Sequence, residues 1–193
     1  MVSIKQEKNK RLNQAQRAEA LKEIHFPEWS IPWVWSRKSH DGYTTLPRTI
    51  PIAMQAVDAK TKGQPAGHVL FCLWARSPDG PMLTIESQAI FAAEAGFSGE
   101  RAIDTWRKRM RHLLSLGFIE TKKGPSGDYH YVLLVNPNLA LEKLRRNRQL
   151  ADVLYGRFID RIHEIGASNE LNDIKNAIDA FAKVEQAKTE PQP

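Results

Sequence analysis

The sequence predicts an α+β fold that is mostly helical. In several segments apolar residues recur at three- and four-residue spacing, which is typical of amphipathic helices. Between residues 82 and 135, short runs rich in aromatic and aliphatic residues predict a few strands. Hydrophobic residues make up 41% of the 193 residues, which is enough for a packed core. The length fits one domain with appendages or two small domains.

The charge is modestly basic, with 28 Lys and Arg against 22 Asp and Glu, a net charge of +6 and a pI near 9.5. This balance is compatible with nucleic acid but says nothing about the fold. The single cysteine, Cys72, excludes an intramolecular disulfide framework and a cysteine-based zinc site. The first residues carry no apolar signal core, and no run approaches the ~18 apolar residues that a membrane span needs. We therefore expect a cytoplasmic protein without a membrane partner.

Residues 1–24 are polar and charged and are predicted to form a basic N-terminal tail, mobile or a frayed helix, and either solvated or an arm that touches DNA. Residues 25–64 differ, because Trp29, Trp33 and Trp35 fall within seven positions that also contain a proline. Proline prevents a regular helix there, so residues 25–35 are predicted to be an extended segment, which we call the tryptophan strap. A helix over residues 49–62 follows, with Thr49 able to cap it. Strap and helix are expected to pack on the core, although exposed aromatics can also form a partner surface.

Residues 65–137 alternate between helix and strand signals. A turn at Gly96-Phe97-Ser98 separates the second and third helices of this segment, and Gly117 ends the third. The predicted elements, in order, are a helix at 69–76, a strand at 82–85, helices at 87–95 and 99–116, and strands at 118–123 and 129–135.

The helix at residues 99–116 has two distinct faces. At 100° per residue its apolar side chains fall within about one hundred degrees and predict a core-facing stripe: Ile103, Trp106, Met110, Leu113 and Leu114. The other face carries Arg101, Thr105, Lys108 and His112, with Arg109 at its flank. Ser98 is placed to cap the helix and to direct its first amides toward a phosphate. A solvated helix face would show the same composition. The elements that neighbour this helix are therefore needed to distinguish a DNA-binding face from a solvated one.

The two strands at 118–123 and 129–135 enclose a Gly/Pro/Ser tip that begins with Lys122 and Lys123. Lysines on a flexible tip beside a helix can contact phosphates or a minor groove. An ordinary surface hairpin would look similar.

Helix, strand, helix, tight turn, helix and hairpin is an element order that resembles the winged helix-turn-helix domains of bacterial regulators and plasmid or mobile-element proteins. The stretch Leu116-Gly117-Phe118-Ile119 at the helix-to-strand junction strengthens the resemblance. The resemblance implies that residues 65–137 form a DNA-binding domain, in which the helix at 99–116 enters the major groove and the hairpin is the wing. It implies these contact residues: Ser98, Arg101, Thr105, Lys108, Arg109, His112, Lys122 and Lys123.

Residues 138–185 are predicted to be a helical extension that mediates dimerisation, although part of its apolar surface is expected to pack on the helix at 49–62 and on the tryptophan strap. A long helix over residues 139–165 is expected, followed by a short amphipathic helix from Leu171 to Phe181, and residues 186–193 are expected to be a disordered tail. Basic side chains at the start of the long helix are expected to extend the phosphate footprint: Lys143, Arg145, Arg146 and Arg148.

Sequence signals for catalysis are lacking. The six histidines have no metal-ligand spacing, and neither a Gly-rich phosphate loop nor a nucleophile elbow occurs. Cys72 lies among apolar residues, which favours a core thiol over a redox sensor. We therefore expect no enzyme, cofactor, metal or small-molecule effector. The leading hypothesis is a homodimeric transcriptional regulator that binds double-stranded DNA sequence-specifically and is associated with the nucleoid or a plasmid. The alternatives are a plasmid or mobile-element replication or partition factor, and a winged-helix protein-interaction module.

Overall fold

The computed structural model describes residues 16–30 and 33–189. The chain divides into two compact units, Met1–Tyr43 and Thr44–Pro193. Residues 1–15 of the predicted basic tail and residues 190–193 of the predicted C-terminal tail lie outside the described residues.

In the first unit, residues 16–25 of the predicted N-terminal segment are helical. The strap that follows is irregular, and Trp33 is 76% exposed. Trp35 packs edge-on against Tyr43, with 6.0 Å between the ring centroids. Arg37 donates a hydrogen bond from Nε to the Tyr43 hydroxyl at 3.1 Å. The packing of the strap on the core stays a prediction.

The second unit is α+β and mostly helical, which confirms the predicted fold class. Its elements are α1 (Ile50–Lys60), α2 (Gly67–Ala75), β1 (Met82–Thr84), α3 (Gln88–Glu94), α4 (Ala102–Ser115), β2 (Ile119–Gly124), β3 (Gly127–Leu134), α5 (Pro137–Arg146), α6 (Asp152–Glu164) and α7 (Ser168–Thr189).

The three strands form an antiparallel sheet in the order β1-β3-β2. Val132 in the central strand pairs with Leu83 on one side and Thr121 on the other. The β2–β3 register shifts between Lys122 and Gly124, so the hairpin is irregular close to its tip. The inner face of the sheet, with Leu83 and Val132 buried, covers the helices.

Trp106 is the largest side chain in the core and lies on α4. It is 1% exposed, with its ring 6.4 Å from Phe91 and 5.7 Å from Tyr129. Met110 and Leu113 continue the buried stripe, so the predicted orientation of this helix is confirmed. The stripe is narrower than predicted, because Leu114 is exposed.

Helix α1 packs against α2, α5 and α6. Thr49 precedes its first turn but does not cap it. The Thr49 hydroxyl instead donates to Oδ1 of Asn138 at 2.7 Å, and the Asn138 amide donates to Glu170 at 2.9 Å. Asn138 is buried, so this polar residue joins the starts of three helices, α1, α5 and α7.

The predicted long helix over residues 139–165 is wrong, because the chain forms two helices, α5 and α6. The break lies at residues 147–151, where Arg148 adopts a left-handed φ of 56°. The expected extension of the phosphate footprint also changes, since Arg145 pairs with Asp152 and Arg146 pairs with Asp179. Both guanidinium groups are therefore paired with carboxylates, although each side chain stays partly exposed.

Helix α7 continues to Thr189, so residues 186–189 are helical where a disordered tail was predicted. Within the described part of the chain, no helix is both long enough and apolar enough to cross a membrane.

Candidate nucleic-acid interface

The turn between α3 and α4 sets the direction of α4. Gly96 and Gly99 have φ angles of 83° and 80°, a region that glycine adopts without steric strain. The Phe97 amide donates to the Ala92 carbonyl at 3.0 Å and closes the end of α3. The expected capping role of Ser98 is wrong: α4 begins at Ala102, and Ser98 is exposed outside its first turn.

A cleft of about 700 Å³ separates the exposed face of α4 from the β2–β3 hairpin. Five basic side chains and two carboxylates line it, so its surface is cationic. Its lining consists of Arg101, Asp104, Thr105, Arg107, Lys108, Arg111, Lys123, Gly127, Asp128 and Tyr129. Four residues that the sequence selected, Arg101, Thr105, Lys108 and Lys123, are therefore brought together.

Arg107 and Arg111 belong to this cleft although sequence reasoning missed them. Arg107 donates from Nε to Gln88 Oε1 at 2.7 Å and lies 3.7 Å from Asp104. Helical periodicity alone places both arginines at the flank of the exposed face. They become central because the hairpin lies on that side of α4, which is a tertiary feature with no local sequence signal.

Arg109 and His112 lie on the opposite flank of α4, away from the cleft. Both contact Gln64 Oε1, which accepts from Arg109 Nη1 at 3.0 Å and lies 3.3 Å from His112 Nε2. The Arg109 guanidinium also stacks over the Phe97 ring at 5.7 Å, and burial lowers its pKa. These two predicted contact residues hold the loop after α1 instead of facing the hairpin.

Lys122 is separated from Lys123 by the pleat of β2. Its partner in the ladder is Tyr131, and paired residues share a face of the sheet. Tyr131 is on the outer, exposed face. Lys122 therefore points outward, whereas Lys123 lines the cleft.

Tyr129 forms part of the cleft wall next to Arg107. Its ring packs edge-on against Trp106, and its hydroxyl lies 3.5 Å from the Arg107 carbonyl. Burial raises the pKa of Tyr129, so the phenol stays neutral and adds no negative charge to the cleft.

Side-chain contacts of Ser126 fix the hairpin tip to the rest of the unit. Ser126 donates from its hydroxyl to the Ile85 carbonyl and lies 2.9 Å from Nδ1 of the buried His130. A Cβ on Gly124 would lie 2.2 Å from the His130 ring, so glycine is required there to admit the ring. The tip is thus a fixed part of the unit.

Cys72 lies outside this surface, on α2. Its sulfur is half-buried, 3.6 Å from His68 Nε2 and 3.7 Å from the Glu94 carbonyl. Burial raises the pKa of Cys72, which keeps the sulfur as a thiol and disfavours a reactive thiolate.

Comparisons with protein-family models, curated proteins and solved structures found no match to this chain. Across residues 16–30 and 33–189, no group of three or more His, Cys, Asp or Glu side chains is arranged to hold a metal ion.

Proposed function

We propose that this chain is a winged helix-turn-helix protein that binds double-stranded DNA in a sequence-specific manner and acts as a dimeric transcriptional regulator. The observation that carries the proposal is the cationic cleft between α4 and the β2–β3 hairpin. In this reading α3 and α4 are the helix-turn-helix, and the hairpin is the wing.

Helix α4 has the dimensions and side chains of a groove-reading helix. Its 14 residues extend about 21 Å at a rise of ~1.5 Å per residue, and the major groove admits one such helix. Arg101, Thr105 and Lys108 follow one another along its exposed face. Arginine and lysine donate to guanine O6 and N7, and the threonine methyl group packs on the methyl group of thymine.

The hairpin side of the cleft supplies the phosphate contacts. Arg107, Arg111 and Lys123 lie between the exposed face of α4 and the wing. A helix in the major groove brings the adjacent sugar–phosphate strand to this side, where cations bind it without reading sequence. The three side chains therefore supply affinity, and the face of α4 supplies specificity.

Dimerisation is assigned to α7. Phe181 is 65% exposed, and Ile174 and Ile178 on the same side of the helix are only half-buried. A second copy would cover this stripe. Two copies related by a twofold axis read a palindromic site with half-sites about one DNA turn, ~34 Å, or a multiple of it apart.

The test is duplex binding measured by fluorescence anisotropy, after selection of bound fragments from a random duplex pool. We expect an enriched palindromic sequence and an affinity that falls steeply with salt, because phosphate contacts release counterions. The absence of duplex binding at low salt would overturn the proposal.

The same DNA-binding surface would serve replication or partition of a plasmid or mobile element, and an enriched site of tandem repeats would favour that role. The exposed Trp29, Trp33 and Trp35 favour a second function, a protein-interaction module. An apolar interface of this kind would bind its partner with little dependence on salt, in contrast to DNA.

A further inference from the structure

Gln88, the first residue of α3, occupies an unusual position for an amide side chain. It is 6% exposed, yet both ends of its amide are hydrogen bonded. Its Oε1 accepts from Arg107 Nε at 2.7 Å, and its Nε2 donates to the Ser126 carbonyl at 2.7 Å. One buried side chain therefore connects α4 to the hairpin tip.

The two hydrogen bonds require an amide. Arg107 offers only donors and the Ser126 carbonyl only an acceptor, so the bridging group must accept at one end and donate at the other. A carboxylate would keep the bond to Arg107 but would face the Ser126 oxygen without a proton. An aliphatic side chain would leave both partners without this bridge.

The space around Gln88 is equally restrictive. Gly127 has a φ of 110°, and a Cβ at this position would lie 3.2 Å from Gln88 Nε2. A side chain at position 127 would thus press against the amide, so a glycine lets the hairpin tip lie close to it. Ser126 is held from a second direction by its bond to the Ile85 carbonyl, three residues before Gln88.

We propose that Gln88 is a positioning residue for the cleft: it holds the Arg107 guanidinium and the hairpin tip at a fixed separation. Arg107, bound through Nε, directs its terminal nitrogens to the cleft, where Nη1 lies 3.7 Å from Asp104, and Lys123 stays opposite α4. The DNA strand between helix and wing then meets preformed contacts, which reduces the ordering that binding requires. This inference rests on the proposed function.

The first experiment needs no DNA. Hydrogen exchange of the Gly124 and Gly127 amides, which pair across the hairpin next to its tip, is compared in wild-type protein, Gln88→Glu and Gln88→Met. We expect exchange to be about tenfold faster in both variants, because the tip loses its anchor and opens locally. Ala89→Glu and Ala89→Met are the matched controls, since Ala89 is the exposed neighbour on α3, and they should leave exchange unchanged. Gln88→Glu keeps the shape of the side chain and is the decisive variant if Gln88→Met does not fold.

The second experiment is a double-mutant cycle on duplex binding, measured well below the unfolding temperature. Lys123→Ala should weaken binding about eightfold in the wild-type background at ~0.1 M salt, but less than about threefold in the Gln88→Glu background, because Lys123 is no longer held in place. A role of Gln88 confined to stability would leave the two factors equal.

Unchanged exchange, or faster exchange with equal factors for Lys123→Ala in both backgrounds, would overturn the positioning role. If wild-type protein binds no duplex, the proposed function fails. In that case the hydrogen-exchange experiment alone tests whether Gln88 couples Arg107 to the hairpin.

Discussion

Lys123 and Lys122 offer a sharp test of the proposed DNA interface. They are adjacent in sequence, but their side chains point to different sides of the hairpin. Lys123 lines the cleft, whereas Lys122 is paired with Tyr131 on the outer face of the sheet. Lys123→Ala and Lys122→Ala remove the same charge from neighbouring positions. Lys122→Ala is therefore a matched control for Lys123→Ala.

The expected magnitude follows from the three cations of the cleft that we propose contact phosphates, Arg107, Arg111 and Lys123. Each contact contributes about −0.9 to the slope of log affinity against log salt, so three contacts give a slope of roughly −2.7 per protomer. A fourfold rise in salt should then weaken wild-type binding about 40-fold and Lys123→Ala about 12-fold. At ~0.1 M salt the lost contact should weaken binding about eightfold.

The assay is fluorescence anisotropy on a fixed duplex from ~0.05 to ~0.2 M salt, with thermal melts to confirm that both variants fold. Lys122→Ala should change affinity less than about twofold, since a cation outside the interface is screened within a Debye length of ~10 Å. Equal slopes for Lys123→Ala and the wild type would remove the hairpin from the interface. A larger effect of Lys122→Ala would show that the outer sheet face, and not the cleft, contacts DNA.

Three further predictions concern base reading, stability and assembly. Arg101→Ala and Lys108→Ala should each weaken specific binding by about 1–3 kcal/mol more than binding to random duplex; equal losses on both duplexes would assign these side chains to phosphates. Trp106→Ala should lower the free energy of unfolding in urea by about 3–5 kcal/mol, the range for a large buried aromatic; a loss below about 1 kcal/mol would contradict the packing of α4. Phe181→Glu should convert a sedimenting dimer into a monomer, whereas Ala180→Glu, about 100° away around α7, should not; a monomeric wild-type protein at micromolar concentration would refute the dimer.

Substitution of Phe181 is a cleaner test of assembly than removal of the C-terminal helices. Leu141, Phe158 and Ile162 of α5 and α6 belong to the buried core. A truncation after Pro137 would therefore unfold the unit as well as remove the proposed dimer interface.

The order of helices and strands in residues 65–137 could be predicted from sequence because it depends on local periodicity. The same holds for the burial of Trp106, whose face of α4 is defined by residues three and four positions away. The helix break at residues 147–151 could not be predicted. Apolar residues continue on both sides of it, and the segment contains neither glycine nor proline. The left-handed Arg148 carries no sequence signal.

The candidate site was predicted only in part, because some of its residues are brought together by tertiary contacts. Arg101, Thr105, Lys108 and Lys123 follow from the exposed face of one helix and the tip of one hairpin. Arg107, Arg111 and Gln88 acquire their roles from the position of the hairpin beside α4. The Gln88–Ser126 bond joins residues 38 apart, and no local pattern encodes such a contact.

The buried Asn138 affects the order in which the unit becomes stable as it folds during synthesis. Its two side-chain partners, Thr49 and Glu170, lie 89 residues before it and 32 residues after it. During synthesis, Thr49 and Asn138 leave the ribosome well before Glu170, and until α7 docks the Asn138 amide lacks this acceptor. A buried donor without a partner is destabilising, so the nascent unit gains its full stability only when its last helix arrives. If α7 dissociated after a protease cut between α6 and α7, the protein would return to that earlier, looser state, and the loosening would reach α1 through Thr49.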